Sequence, residues 1–573
     1  MEAKKFNRFF NVTIGIIGLS PFIYWVSTRI NQDLWWDELL SLKNYALVDF
    51  DTTISTYPDP NNHILFNLIN NIYTRFFLDR DFYEILDYAY GLRVLQAFFA
   101  LVTIYYSFLI VKKFFNKKHA FIVVGVLCST VPFLNFSLQL RGYNISMMFT
   151  VMLIFYIWKY LQDNKKKYAV FVSILVFCLL YTTPSNIYFL GALCITILFD
   201  WKRDRSDIKQ EIESTKKKKK KQQFLPVFQT VNRTYFKIGL AILVGMIFTY
   251  IAYLPVMENM LNNRFVDKVP GERTFVLTEL LPNILMSFFS VRWFLFLFAI
   301  IVFLPSRFKL KLKVDISSKR KILALVMMLL LPFLFAFMHN KLPFQRTFIL
   351  LVPVFSLLLS IWIIQLIERL NLKNNHQYLL FLIVSIYLGF TSYMELNRND
   401  EILKTNLQSE IREQNIYRNF YLAQDFNPHD IAKEIAKIKS TKSPVLMVDE
   451  LDRVSLVFYL EKYDIQSQTI IRIQKNNTNV KGQNYHFVGL IQKSAGKNQD
   501  INYMKIPCNL SLDTKLNPYL LLLSLNSQTT FKKHILLSAF PNRVKEFKKK
   551  IDRFKFKELD KKSFVGIYEV ENK

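Results

Sequence analysis

The chain has 573 residues, of which 52% are hydrophobic and 16% aromatic, with only 14 Gly and 18 Pro. This composition excludes a disordered, collagen-like or disulfide-stapled protein. Lys and Arg outnumber Asp and Glu by 74 to 44, a net charge of +30 that would suggest nucleic-acid binding in a soluble protein. The apolar residues, however, gather in runs of about 15–22 residues that are nearly free of charge, which predicts a polytopic α-helical membrane protein.

The apolar runs predict eleven transmembrane helices. The predicted spans are 11–28, 92–111, 119–136, 144–158, 168–182, 185–200, 236–257, 286–304, 322–339, 347–367 and 378–394. The run 168–199 is interrupted at residues 182–185, and basic residues stand at both of its ends. Basic residues on both sides favour a tight hairpin of two short spans over one long helix.

The charges of the loops predict the orientation. With the N-terminus inside, the cytoplasmic segments hold 32 Lys and Arg against 9 acids, and the external segments before the tail hold 11 against 14. An odd number of spans then puts the C-terminal tail of this integral multi-pass protein outside. The frequent use of Lys, Asn, Ile and Phe suits a bacterial protein, which predicts the plasma (inner) membrane. The basic loop 200–237, which includes Lys216–Lys221, is interpreted as a solvated stretch near anionic lipid headgroups and not as a nucleic-acid site.

Two domains follow from this organisation. Residues 1–395 form the predicted transmembrane domain, whose first external loop, 29–90, has ten acids and four bases. Residues 397–573 alternate helix and strand patterns, which predicts a soluble α/β domain outside the membrane. Its predicted elements are helices at 431–439, 451–463 and 542–553 and strands at 445–449, 485–492, 519–524 and 565–570. This tail has no His/Asp/Glu cluster with ligand spacing and is predicted to be an accessory domain.

The first external loop begins with two adjacent carboxylates beside tryptophans. Trp36, Asp37 and Glu38 follow the first span after a few residues. Tryptophan rings belong at the membrane interface, and carboxylates held there would face the headgroup level, where a lipid-linked substrate presents its phosphate and first sugar. The alternative interpretation is an aromatic belt with incidental acids outside the membrane.

Three more polar motifs fall on the same predicted external face. Asn62 and His63 end a turn rich in Pro and Asn, just before a helical run. Arg141 and Tyr143 lie in the short turn between the third and fourth spans. Lys341 and Arg346 precede the tenth span, which contains Pro353. A lone His is more often a structural hydrogen-bonding residue, and an Arg at the end of a span often only snorkels to the interface. Because all four motifs fall on the same predicted membrane face, they are nevertheless expected to lie close together in one site.

These motifs resemble those of the GT-C glycosyltransferases, most closely glycosyltransferase family 39, with its protein mannosyltransferases and lipid A aminoarabinose transferases. The resemblance covers roughly residues 1–395 in order, and the tail is similar to the external domain of bacterial members. It rests on Trp36-Asp37-Glu38, Asn61-Asn62-His63, Arg141-Gly142-Tyr143 and the spacing from Arg346 to Pro353. One departure is Gln139, where many members have an acid, which puts a second carboxylate for acceptor or metal in doubt.

The resemblance implies an inverting transfer of a sugar from a polyprenyl-phosphate donor, outside the membrane. Asp37 would be the general base and Glu38 its helper, because an acceptor hydroxyl must lose its proton as it attacks. Arg141, Arg346 and Lys341 would bind the donor phosphate, since arginine forks suit developing phosphate charge. The substrate-positioning residues would be His63, Asn62, Tyr143 and Trp36.

The implied partners are the lipid-linked donor, a glycan, lipid or protein acceptor, and the bilayer itself. No nucleotide cofactor and no nucleic acid are expected, no residue is assigned as a metal ligand, and the participation of a divalent metal stays open. Two other functions remain as alternatives. A transporter or flippase would bind near the midplane between repeated halves or broken helices, and a polymerase or ligase of lipid-linked glycans would share the external site but differ in donor.

Overall fold

The computed structural model describes residues 2–572 apart from several short segments and a few longer ones. The segments outside the description are 59–61, 79–80, 215–217, 262–275, 283, 285–315, 340–344, 371, 409–427, 439–444, 449–454, 466, 481–482, 495–496, 508–532, 539–543, 546–547, 550–553 and 561–565.

The described α-helices are, in chain order, α1 (Glu2–Arg29), α2 (Trp36–Ser41), α3 (Phe50–Ser55), α4 (Ile64–Tyr73), α5 (Phe82–Ile85), α6 (Ala89–Phe114), α7 (Ile122–Cys128), α8 (Val131–Ser137), α9 (Gly142–Asp163), α10 (Lys166–Thr182), α11 (Ile187–Ser214), α12 (Lys218–Tyr253), α13 (Met257–Leu261), α14 (Ile316–His339), α15 (Val352–Arg369), α16 (Asn374–Gln408), α17 (Pro428–Ile438) and α18 (Leu456–Lys462). The strands are β1 (Val445–Val448), β2 (Ser467–Val480), β3 (Gln483–Ser494), β4 (Lys497–Pro507), β5 (Lys533–Ser538), β6 (Phe554–Asp560) and β7 (Gly566–Asn572).

The chain divides into two units. Unit 1 consists of Met1–Ile30, Asn44–Asp79 and Tyr90–Asn397, and unit 2 of Asn31–Lys43, Arg80–Ala89 and Arg398–Lys573. Two pieces of the loop 29–90 therefore cluster with the tail, a grouping that the sequence pattern does not predict.

Unit 1 holds the long apolar helices, which confirms the polytopic helical fold. Within the described residues, eight helical stretches are long and apolar enough to cross a membrane. They are Phe9–Arg29, Phe82–Phe114, Gly142–Asp163, Pro184–Ile208, Gln229–Leu261, Lys319–His339, Arg346–Glu368 and Asn374–Glu401. Each overlaps a predicted span, and the predicted span 286–304 lies outside the described residues.

The other two predicted spans have different outcomes. The span at 168–182 is the 17-residue helix α10, and the run 168–199 is split into two helices as predicted, because Pro184–Asn186 forms a short 3-10 turn between α10 and α11. The span at 119–136 is instead split into α7 and α8. Pro132 explains the split, since its ring would clash with the carbonyl of Cys128, four residues back, which is where α7 ends.

Small residues allow the helices of unit 1 to pack closely. Helix α1 packs on α7, and a Cβ built on Gly18 would lie 2.7 Å from the backbone nitrogen of Gly125. Such glycine contacts let helix backbones approach within a membrane, where close packing replaces the hydrophobic effect. Helix α10 packs on α9 and α12, and α11 packs on α14.

The tail part of unit 2 is an α/β fold around one mixed sheet. The strand order is β4-β3-β2-β1-β5-β7-β6, with β1 parallel to both β2 and β5 and the remaining pairs antiparallel. The uninterrupted apolar sequence of β1 suits a central parallel strand. Helices α17 and α18 pack on each other, and α17 buries Ile431, Ala432 and Ile435, the spacing of one helix face.

Most of the predicted tail elements within the described residues are present. The predicted elements at 431–439, 445–449, 451–463, 485–492 and 565–570 correspond to α17, β1, α18, β3 and β7. The predicted strand 519–524 and most of the predicted helix 542–553 lie outside the described residues.

Candidate active site

The turn before α4 is shaped by the side chain of Asn62. This residue is almost fully buried, and its Nδ2 donates to the carbonyl oxygens of Thr53 (3.1 Å) and Thr56 (2.6 Å). Its Oδ1 accepts a hydrogen bond of 2.8 Å from Nδ2 of Asn67. The amide thus ties together α3, the turn and α4, and fixes the backbone from which His63 projects. A direct contact of Asn62 with substrate stays a prediction.

His63 joins this turn to the start of α9. Its ring is 3% exposed, and Nδ1 accepts a 2.8 Å hydrogen bond from the backbone N–H of Gly142. The ring also meets Tyr143 edge to face, with the two centroids 5.0 Å apart. An imidazole nitrogen that accepts carries no proton, so the neutral ring has its proton on Nε2.

The electrostatic surroundings keep His63 neutral. Burial is the largest cause that lowers the pKa of His63 well below its ordinary value, and the positive charges of Arg141 and Arg346 lower it further. At neutral pH the side chain is therefore an Nε2–H donor. The repulsion also indicates that both guanidinium groups are close to the ring.

Arg141 and Arg346 meet at one aromatic ring. Their guanidinium carbons each lie 5.9 Å from the centroid of the Tyr143 ring. Arg141 is 1% exposed and occupies the N-cap position of α9, in extended backbone. Arg346 is half-buried in the 3-10 turn Gln345–Leu351 that leads into α15. The structure thus brings together four of the residues selected from the sequence: His63, Arg141, Tyr143 and Arg346.

The turn that carries Arg141 is fixed from α6 and α9. Arg93 is completely buried, and its NH1 donates a 2.8 Å hydrogen bond to the carbonyl oxygen of Leu138. Nδ2 of Asn144 donates to the carbonyl oxygens of Gln96 (2.6 Å) and Ser137 (3.0 Å). Arg93 is not among the residues selected from the sequence, although a charge at the start of a predicted span could have indicated it, because charged side chains within membrane helices usually face a functional interior.

The acidic segment, which we define as residues 31–43, belongs to unit 2. Asp37 and Glu38 stand in the first turn of the six-residue helix α2. Glu38 is completely buried, and its Oε2 accepts a 3.0 Å hydrogen bond from the backbone N–H of Trp35, as one half of a capping box. Asp37 is only half-buried. The two neighbouring carboxylates therefore differ, since Glu38 caps its own helix and Asp37 is more accessible.

Two predicted site residues remain, Trp36 and Lys341. Trp36 packs its ring against Phe458, with the centroids 5.2 Å apart. Lys341 lies outside the described residues. Gln139, where a second acid would stand in many GT-C enzymes, is completely buried. Among the described side chains, no group of three or more His, Cys, Asp and Glu could hold a metal ion.

Comparison with known proteins adds a family match. Residues 82–212, which include Arg93, Arg141 and Tyr143, match the model of the dolichyl-phosphate-mannose-protein mannosyltransferase family. No curated protein matches the chain.

Solved structures of two kinds align with most of the chain. ArnT from Cupriavidus metallidurans bound to undecaprenyl phosphate aligns at 10% identity and a TM-score of 0.46, with 97% of each chain covered. The archaeal oligosaccharyltransferase AglB from Archaeoglobus fulgidus, in complex with an inhibitory peptide and a dolichol-phosphate, aligns at 11% identity and a TM-score of 0.42. That alignment covers 96% of this chain and 81% of AglB.

The matched segment contains the helix that carries Arg93 and the turn that carries Arg141, two of the buried charges of the candidate site. The family match therefore confirms the resemblance over residues 82–212, which contain the Arg141-Gly142-Tyr143 motif and are similar to the dolichyl-phosphate-mannose-protein mannosyltransferases.

Proposed function

We propose that the chain is an inverting glycosyltransferase that moves a sugar from a polyprenyl-phosphate donor to an acceptor hydroxyl at the external face of the plasma membrane. The observation that carries the proposal is the pair Arg141 and Arg346 at the Tyr143 ring, beside a His63 that their charges help to keep neutral. Two guanidinium groups and an N–H donor suit an anion such as a phosphate.

The arginines would act on the leaving group. As the bond between the anomeric carbon and the phosphate oxygen breaks, the electron pair and a negative charge pass to the polyprenyl phosphate. A guanidinium fork donates two parallel hydrogen bonds to phosphate oxygens, and such donors act most strongly where they are buried. Arg141, which is almost fully buried, would thus stabilise charge that develops in the transition state. Lys341 is proposed as a further phosphate ligand.

Asp37 would act on the acceptor. The acceptor oxygen attacks the anomeric carbon from the side opposite to the phosphate, and its proton passes to the Asp37 carboxylate. One such displacement inverts the anomeric centre. This role rests on the family resemblance and on the difference between the two acids, because Glu38 already accepts the Trp35 N–H while Asp37 is half-buried. A glycan, a lipid or a protein could each supply the hydroxyl.

The proposed orientation puts the N-terminus in the cytoplasm and the tail outside. It rests on the excess of basic residues in the predicted cytoplasmic segments. A reporter that is active only outside the cytoplasm, fused after Lys573, should be active. The opposite result would reverse the orientation and move the proposed reaction to the cytoplasmic face.

A donor assay tests the function itself. Purified protein is incubated with radiolabelled polyprenyl-phosphate sugars and a set of acceptors, and we expect release of free polyprenyl phosphate together with an inverted glycoside. A flippase would release none, and a polymerase or ligase of lipid-linked glycans would require a different donor.

Variants of the two arginines link the activity to the site. Arg141→Ala and Arg346→Ala should each reduce turnover by about 10²–10³-fold, the usual loss when a transition-state donor is removed. The Arg→Lys variants should recover only part, since an ammonium group lacks the planar fork. Arg75→Ala is the matched control, because Arg75 is exposed in the same unit and should leave turnover unchanged. Normal turnover in both alanine variants would contradict the assignment.

A further inference from the structure

The acidic segment is held by side chains of the tail, all within unit 2. The backbone N–H of Leu34 donates a 2.8 Å hydrogen bond to the hydroxyl of Tyr459 on α18, and the carbonyl oxygen of Leu34 lies 3.4 Å from the same hydroxyl. Both residues are completely buried. One phenolic hydroxyl therefore meets both polar groups of a backbone position three residues before Asp37.

A second contact fixes the segment one residue earlier. Oδ2 of Asp33 accepts a 2.7 Å hydrogen bond from the backbone N–H of His429, in the first turn of α17. The first N–H groups of a helix have no partner within the helix, so a carboxylate from elsewhere in the chain satisfies one of them. The His429 ring stacks on that of Tyr459, with the centroids 5.3 Å apart. The two contacts thus form one connected cluster.

The segment is also held directly before Asp37 and beyond it. Trp36 packs on Phe458 of α18. Nζ of Lys43 lies 3.6 Å from Oε2 of Glu461, also on α18, and above the Phe458 ring at 5.7 Å from its centroid. The ion pair is partly exposed and contributes little by itself. The ion pair matters here because it attaches the segment to α18 after Asp37, as the Leu34 contact does before it.

The second piece of loop in unit 2 is fastened to the same helix. Nζ of Lys462 lies 2.6 Å from Oδ2 of Asp87 and donates a 2.9 Å hydrogen bond to the carbonyl oxygen of Tyr83. The hydroxyl of Tyr83 donates a 3.1 Å hydrogen bond to Oε2 of Glu461. Helix α18 is therefore a common support for both pieces.

These contacts matter because α2 is too short to define its own geometry. A six-residue helix has barely one hydrogen-bonded turn, and isolated helices of this length are not stable in water. The direction of the Asp37 side chain must therefore come from what packs around the segment. We propose that Tyr459 is a positioning residue that sets the orientation of Asp37, so that the tail fixes the geometry of the base. This inference rests on the proposed function.

The test uses full-length protein and the variant Tyr459→Phe, which removes the hydroxyl and keeps the ring. A misplaced base should lower kcat for transfer by about 10–100-fold, as small displacements of reacting groups do, while KM for the donor stays unchanged. Tyr568→Phe is the matched control. It removes another buried hydroxyl of the tail, on β7, for which the described residues offer no hydrogen-bond partner, and it should behave as wild type.

A double variant separates positioning from loss of folded protein. With Asp37→Asn already in place there is no base to misplace, so adding Tyr459→Phe should cause no further loss of transfer. Hydrogen exchange gives a readout without activity. The peptide that covers the acidic segment should exchange faster in Tyr459→Phe, and peptides of α9 should not.

Either of two kinetic results would overturn the inference while leaving the proposed function intact: wild-type kcat in Tyr459→Phe, or an equal loss of rate in the presence and absence of Asp37. Full activity in Asp37→Asn would instead remove the base, and with it the proposed role of the segment. Unchanged exchange in the acidic segment would show that the Tyr459 hydroxyl does not hold it.

Discussion

Gly142 is the position where the smallest addition should disturb the proposed phosphate site most. It stands between Arg141 and Tyr143, and its N–H donates to His63. A Cβ built there would lie 2.5 Å from Nδ1 of His63 and 2.8 Å from Cγ2 of Thr182, both closer than real Cβ contacts allow. The variant Gly142→Ala therefore forces two neighbours from two different elements to move.

The size of the effect follows from those distances. Ordinary contact begins near 3.4 Å, so Nδ1 of His63 would have to retreat by about 0.9 Å, which would stretch its 2.8 Å hydrogen bond beyond bonding distance. Overpacking costs about 1–3 kcal/mol and the lost hydrogen bond about 1 kcal/mol. The better helix propensity of Ala returns at most about 1 kcal/mol. We expect a net destabilisation of about 1–3 kcal/mol.

Activity should suffer more than stability. A displacement of this size in a positioning group can cost about 10²-fold in rate. Donor turnover and the Tm in detergent are measured for Gly142→Ala beside Gly239→Ala. Gly239 lies on α12, and a Cβ added to it would have no neighbouring atom within 4 Å, so its variant should keep full activity and an equal or higher Tm. If the two glycine variants behaved alike, the close contact at His63 would have no functional meaning.

Two further predictions concern single groups of the site. Asp37→Asn should reduce the rate of transfer by about 10²–10⁴-fold and leave donor binding intact. Glu38→Gln should lose far less activity, because its side chain keeps an oxygen that can accept the Trp35 N–H. An inactive Glu38→Gln variant together with a fully active Asp37→Asn variant would exchange the two roles. The pKa of His63 in the folded protein lies well below its value in the unfolded chain. Below about pH 6.5 the ring therefore binds a proton in the unfolded chain but not in the folded protein, and the contribution of His63 to stability is lost as the pH falls. The Tm of wild type should therefore fall between pH 7 and pH 5 more than that of His63→Asn, and equal slopes would contradict the burial argument.

The sequence predicts the helical part of the fold well, because long apolar runs report directly on burial in lipid. The run 168–199 is also split into α10 and α11 as predicted, at the turn that contains Pro184. The split between α7 and α8 was missed although its cause is local. Hydropathy averages over a window, and one Pro132 within an apolar run leaves the average high while it ends the helix.

The candidate site was predictable only in part. Arg141 and Arg346 could be selected because each is a charged residue at the end of a predicted span, and the structure brings both to the Tyr143 ring. The attachment of the acidic segment to α18 joins Leu34 to a residue 425 positions later in the chain. Contacts between residues so far apart in the chain follow no periodic pattern or fixed spacing from which they could be predicted. For the same reason the sequence does not predict the hydrogen bond from Arg93 to the carbonyl oxygen of Leu138, which joins residues 45 positions apart.

The burial of the arginines is itself an argument about function. Arg93 and Arg141 are at most 1% exposed, and removing a guanidinium group from water costs several kcal/mol that its new contacts must offset. Apolar side chains of similar volume often stabilise such positions at least as well, so stability alone does not account for two buried charges in neighbouring elements. The bound anion proposed above would add to the compensation that contacts within the protein provide, because opposite charges attract more strongly where water is excluded. The burial of these two charges thus agrees with the proposed binding of an anion at the site.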